Sequence, residues 1–167
     1  MKLVIDGYNL IRQSPTLSQI ELESLEAGRE ALIRYLQAYR RLKRHDITVV
    51  FDGEHGKHLS LQKEKVGAIT VIYSGRGQKA DDVIKEIVER QPNLIVISSD
   101  KEIVSFAERH NANAVLSAEF ISKLEMAIYG KGATKGDHPS KIVPKKKGPS
   151  HRLSKRERRR LRVLKKL

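Results

Sequence analysis

Apolar residues follow two periods along the chain, and the two alternate. Short runs of consecutive aliphatic and β-branched residues, at positions 3–5, 47–51, 66–73, 94–99 and 114–116, have the length and composition of strands buried on both faces. Between them the spacing becomes helical. Leu22, Leu25, Leu32, Leu36 and Tyr39 predict one long helix over about 21–44, and Val83, Ile84, Ile87 and Val88 predict another over about 79–90. Ser99-Asp100-Lys101-Glu102 has the form of a capping box opening a helix through Ile103, Phe106 and Ala107, and Ser117 opens a last one through Phe120, Ile121, Leu124 and Ile128. Strands alternating with helices predict an α/β fold, with a central parallel sheet of about five strands between helical layers.

The pattern stops at Gly130. Glycine, lysine, proline and histidine then replace the apolar residues, so 1–130 reads as the folded domain and 131–152 as a flexible basic linker. Residues 153–167 form a basic tail in which Ser154-Lys155-Arg156-Glu157 offers a further capping box. Its charges repel one another, so a helix is expected there only on a bound partner. Residues 131–167 hold 15 Lys and Arg against 2 Asp and Glu, whereas residues 1–130 hold 18 of each, so the net charge of +13 belongs to the tail. A neutral body with a cationic extension implies a polyanionic partner.

Other features exclude function classes. With no cysteine in the chain, thiol catalysis and thiolate metal sites are ruled out. The N-terminus lacks the apolar core of a signal peptide, and no window approaches membrane-spanning length, so a soluble, cytoplasmic protein is expected.

The chemistry gathers at the strand ends. Asp6 and Asp52 each follow an apolar run directly, Asp100 follows one after Ser98-Ser99, and Asp81 and Asp82 open the helix after the third strand. Ligands of open α/β sheets bind outside the carboxyl ends of the strands. Any one of these acids also suits a turn or a helix cap. Together at one rim they repel by roughly 4 kcal/mol per pair at about 4 Å and an effective dielectric near 20, which calls for raised pKa values or a shared cation. Magnesium or manganese suits such oxygen donors and would support phosphodiester hydrolysis. Gly75-Arg76-Gly77-Gln78-Lys79-Ala80 also satisfies a dinucleotide fingerprint, but Asp81 and Asp82 place negative charge where a pyrophosphate would rest.

Ile5-Asp6-Gly7-Tyr8-Asn9-Leu10-Ile11, Phe51-Asp52-Gly53, Lys79-Ala80-Asp81-Asp82 and Ser98-Ser99-Asp100 resemble the YacP-like branch of the NYN domains, in the PIN-like nuclease superfamily. The resemblance covers residues 1 to about 130, and the basic extension also fits that branch. It implies a PIN-like three-layer fold with strand order 3-2-1-4-5, and a Mg²⁺- or Mn²⁺-dependent endoribonuclease cutting messenger RNA in the ribosomal A site. By motif position it makes Asp6, Asp82 and Asp100 the metal ligands and adds Asp81 and Asn9 to the catalytic set, Asn9 orienting a ligand or the attacking water. Asp52 and Ser99 are supporting positions. One departure bears on a second metal: many NYN domains continue with Gly-Asp where this chain has Lys101-Glu102 after Asp100. His55 and His58 are further candidates as proton donors or phosphate ligands.

For the extension, an RNA arm is favoured over a membrane helix because its apolar residues are few, and with no aromatic after Tyr129 it should act on phosphates rather than bases. Lys145, Lys146, Lys147, Arg152, Arg156, Arg158, Arg159, Arg160 and Arg162 are the candidate contacts, with ribosomal RNA a natural target of a monomeric protein. The alternative reading is a non-catalytic ribosome- or RNA-binding factor on the same body.

Overall fold

The computed structural model describes residues 1–53, 60–130 and 154–167. Six strands form one sheet in the order β3-β4-β2-β1-β5-β6: β1 (Lys2–Asp6), β2 (Asp46–Phe51), β3 (Gln62–Val66), β4 (Ile69–Tyr73), β5 (Ile95–Ile97) and β6 (Asn113–Val115). All neighbours pair in parallel except β3, which runs antiparallel to β4. The five parallel strands follow the expected 3-2-1-4-5 order. The sixth comes from a hairpin where one strand over 66–73 is expected. Gly67, at φ +62, turns the chain there, and Gln62–Val66 is a polar, exposed edge strand with no apolar period to betray it.

Successive side chains of the central strands enter opposite layers. Leu3 and Ile5 of β1 join Ile47, Val49 and Phe51 of β2 under α1 (Gly7–Ile11), α2 (Pro15–Glu23), α3 (Leu25–Lys43) and α6 (Ser117–Tyr129). Val4, Val50, Ile72 and Val96 face the other way, against α4 (Ala80–Arg90) and α5 (Lys101–Arg109). This is the expected helix-sheet-helix arrangement, and it aims every parallel strand's carboxyl end at one rim.

The expected long helix over 21–44 is two helices. Ser24 is extended, at φ −164 and ψ 150, and its hydroxyl accepts from the Ala27 amide to start α3. Pro15 sits in the first turn of α2 behind the Ser14 cap, where its missing N–H costs nothing. Leu22 and Leu25, expected in the core, are consequently exposed at the break, 78% and 39%.

Helix α7 (Lys155–Leu164) lies along β6 at the sheet edge. The Ser154–Glu157 capping box is made as read, and Val163 and Leu164 pack on the core. Leu167 is buried, its carbonyl accepting from the Tyr39 hydroxyl at 2.8 Å. Apolar anchoring and ion pairs to Glu108 and Glu119 act against the mutual repulsion of its cations. The expected linker at 131–152 lies outside the described residues, as do Lys145, Lys146, Lys147, Arg152, His55 and His58.

Candidate acidic site at the sheet rim

Asp6 ends β1 at the centre of the sheet and is only 8% exposed. Two groups hold its carboxylate. Oδ1 accepts from the Asn9 amide at 3.2 Å, starting α1, and Oδ2 accepts from the Ser98 hydroxyl at 3.1 Å. Burial drives its pKa up from 3.8 to about 6; the two hydrogen bonds oppose the rise and the charges of Asp81 and Asp52 add to it. The glycine after it has a packing reason. A Cβ on Gly7 would stand 2.2 Å from the Phe51 ring, so the Asp-Gly pair marks a close approach between neighbouring strand ends as well as a turn.

Asp81 is the acid most exposed to the others' field. Burial, then Asp100, then Asp52 raise its pKa, with Lys85 opposing, and its carboxylate has no hydrogen-bond donor among the described residues. Asp52 reaches across from β2 to accept from the Ala80 amide at 2.6 Å, pinning the start of α4 to the rim. Lys85 is itself paired with Glu102.

The other two acids are committed to their own helices. Asp82 is exposed and turns back, its Oδ2 accepting from the Lys79 amide at 3.1 Å. Asp100 is the N-cap of α5, its Oδ1 accepting from Glu102 and Ile103 amides at 2.7 and 3.2 Å. Asp100 stays linked to Asp6 through Ser98, whose hydroxyl oxygen also accepts from the Asp100 amide at 3.1 Å. Asp6, Asp82 and Asp100 are therefore not brought into one group, and among the described residues no three acidic or histidine side chains stand close enough to hold a metal ion together. The physical reason lies in the two helix starts, whose orphan amides claim the carboxylates of Asp82 and Asp100. Asp6 likewise caps α1, and the charges of Asp81 and Asp52 act on it while those of Asp100 and Asp52 act on Asp81.

Asn9 braces the rim through its side-chain carbonyl. Its Oδ1 accepts from the Ser99 amide at 2.9 Å and from the Ser117 hydroxyl at 2.7 Å, tying the ends of β1, β5 and β6 together. The Ser99 hydroxyl completes the brace by accepting from the Ser117 amide at 3.1 Å. Ser98 and Ser117 join the site although the sequence marks them only as part of a motif and as a helix start. Each follows the last apolar position of a strand, which is the available signal, but a serine there reads first as a helix cap. Asn9→Ala is expected to leave the Ser99 amide and Ser117 hydroxyl without acceptors, costing about 2–4 kcal/mol in chemical denaturation.

The fingerprint Gly75-x-Gly77 lies on the same rim, with Gly77 at φ +77. Its helix start cannot cradle a pyrophosphate as it stands. The Ala80 amide is already taken by Asp52, and Lys79 by Asp82.

The YacP-like NYN domain model matches residues 3–166, which is nearly the whole chain and includes α7. The chain belongs to the YacP-like NYN domain family. NYN domains are a nuclease family. The chain is similar to the uncharacterized protein YacP of Bacillus subtilis strain 168, 29% identical over 92 residues, a match that spans 55% of this chain and about half, 54%, of that protein. Crystal structures of Rae1 (YacP) from Bacillus subtilis share the fold: one is 25% identical over 76% of this chain and 75% of its own, with a TM-score of 0.63. The W164L mutant of that protein aligns at 22% identity over 76% of each chain, also with a TM-score of 0.63.

Proposed function

We propose that this protein is a metal-dependent endoribonuclease that cleaves messenger RNA on the ribosome, in the A site, as a cytoplasmic monomer whose basic C-terminal segment binds ribosomal RNA. The observation that carries the reading is the state of Asp6: a carboxylate buried at the sheet rim, raised toward neutral pH, with the Asp81 and Asp52 charges directed at it. A cation relieves that repulsion, and membership of a nuclease family supports one used in phosphodiester cleavage.

The donor set fits magnesium or manganese in a particular way. These ions keep several waters and need only one or two carboxylates, the substrate phosphate completing the shell, so a preformed cage of three is not required. Asp6 and Asp81 would hold the ion, with Asp52 and Asp100 adding negative potential around it. When bound, such an ion lowers the pKa of an attacking water and offsets charge developing on phosphorus. Ser98 and the Asn9 amide keep Asp6 in one orientation. Asn9, Ser99 and Ser117 keep the three strand ends in register around it. The amides at the starts of α4 and α5 are occupied by carboxylates and give no anion seat, so approach of a phosphate depends on the cation.

The turning of Asp82 and Asp100 onto their own helices favours the second reading, a non-catalytic RNA- or ribosome-binding factor. Incubation of the purified protein with a ribosome-bound messenger RNA in Mg²⁺, Mn²⁺ or EDTA separates the two. Discrete cleavage that EDTA suppresses supports the nuclease; binding with intact RNA under all three conditions supports the factor.

A further inference from the structure

Helix α7 divides its cations between two faces. Arg156 pairs with Glu108 at 2.6 Å, Arg159 donates to the Asn113 side chain at 2.6 Å and to the Asn111 carbonyl at 3.4 Å, and Arg160 pairs with Glu119 at 3.4 Å. With Val163, Leu164 and Leu167 these arginines form a stripe at spacings of three and four, which is the face turned to the body. The opposite face carries Arg158, Arg162 and Lys165, all exposed, and neither Arg158 nor Arg162 has a partner among the described residues. Consecutive members of that row rise by about 4.5–6 Å along the helix.

We infer that this outward row of α7, fixed to the sheet edge at β6, is a rigid binding surface for the phosphate backbone of double-helical RNA, and that Arg156, Arg159 and Arg160 serve to seat it. The proposal refines the RNA-binding role assigned above to the C-terminal segment and rests on that reading. Three cations on an ordered helix present a fixed array, which suits a regular backbone better than a pliable single strand. Residues 154–167 contain no aromatic side chain, so the row has nothing on which to stack unpaired bases. Its one large apolar member is Leu161, 39% exposed, which is too little apolar area to enter a bilayer.

The test compares two pairs of substitutions that remove the same charge from the full-length protein. Binding to an RNA hairpin with a stem of about 16 base pairs is measured across a salt series in EDTA, so that cleavage plays no part. Arg158→Ala with Arg162→Ala is expected to weaken binding between roughly ten- and a hundredfold near 0.1 M salt, and to reduce the log-log salt slope by about 2. The melting temperature should not change, since these side chains touch nothing on the body. Arg156→Gln with Arg160→Gln is expected to keep affinity within about threefold while making α7 more open to hydrogen exchange. Equal losses from the two pairs would show that charge count alone matters and overturn the assignment, as would full affinity in the Arg158/Arg162 variant. Tighter binding to vesicles of anionic lipid than to the hairpin would also overturn it. A protein that binds in the expected way yet cuts no RNA in Mg²⁺ keeps this surface and loses the nuclease.

Discussion

Asp6→Asn is expected to abolish cleavage of RNA while leaving the protein as stable as before or more so. The loss should be on the order of 10³-fold or greater, because the interaction between a cation and the reacting phosphate is worth several kcal/mol. The stability half of the result follows from the sign of the pKa shift. Asp6 titrates near 3.8 in an unfolded chain and at about 6 in the folded one. The folded state therefore holds its proton more tightly, and the stability this gives is complete below about pH 4 and is lost as pH rises toward 6. Above that the ionised group costs the fold roughly 3 kcal/mol. Asparagine avoids that cost, so without divalent cation the variant should melt higher than the parent at pH 7.5 and no higher at pH 3.5. Cleavage assays and thermal melts at the two pH values check both halves. A variant that is inactive because it is unfolded would leave the role of Asp6 unsupported.

Asp81→Asn should reduce cleavage by about 10²-fold or more, and Asp82→Asn by less than about tenfold. Adjacent carboxylates in one helical turn point about 100° apart, so only one of them can face the rim. Asp81 does, as the influence of Asp100 and Asp52 on it shows. Asp82 accepts from the Lys79 amide instead, and asparagine retains an oxygen able to accept that bond. The substitution should cost only about 0.3–1 kcal/mol of stability from the lost charge at the helix start. Steady-state cleavage rates of the two variants, with their denaturation midpoints, decide the order. The reverse order would mean that Asp82 leaves its amide to serve the site.

These two substitutions also mark how far the sequence could be read. The parallel strands were legible because residues such as Leu3, Val4 and Ile5 face apolar layers on both sides and leave an unbroken run. The rim acids were legible for the same reason, since Asp6 and Asp52 end those runs. β3 was hidden because an exposed edge strand such as Gln62–Val66 has no buried face to impose a period. The division at Ser24 was hidden because leucines at helical spacing fit one helix or two, and only the extended Ser24 backbone separates α2 from α3. That Asp82 turns back onto the Lys79 amide while Asp81 does not is a matter of fractions of a turn, beyond what spacing carries. The docking of α7 was obscured by charge: its arginines read as repelling one another until Glu108 and Glu119 were found opposite them.

The nuclease reading requires one divalent ion shared by Asp6, at the end of β1, and Asp81, in the first turn of α4. Crystals of the protein soaked in MnCl₂, with data collected at the manganese absorption edge, locate such an ion directly. The expected result is an anomalous peak within ligand distance of Asp6 and Asp81, absent from crystals of Asp6→Asn. Full manganese occupancy elsewhere with none at the rim, in a protein that still cuts RNA, would contradict it.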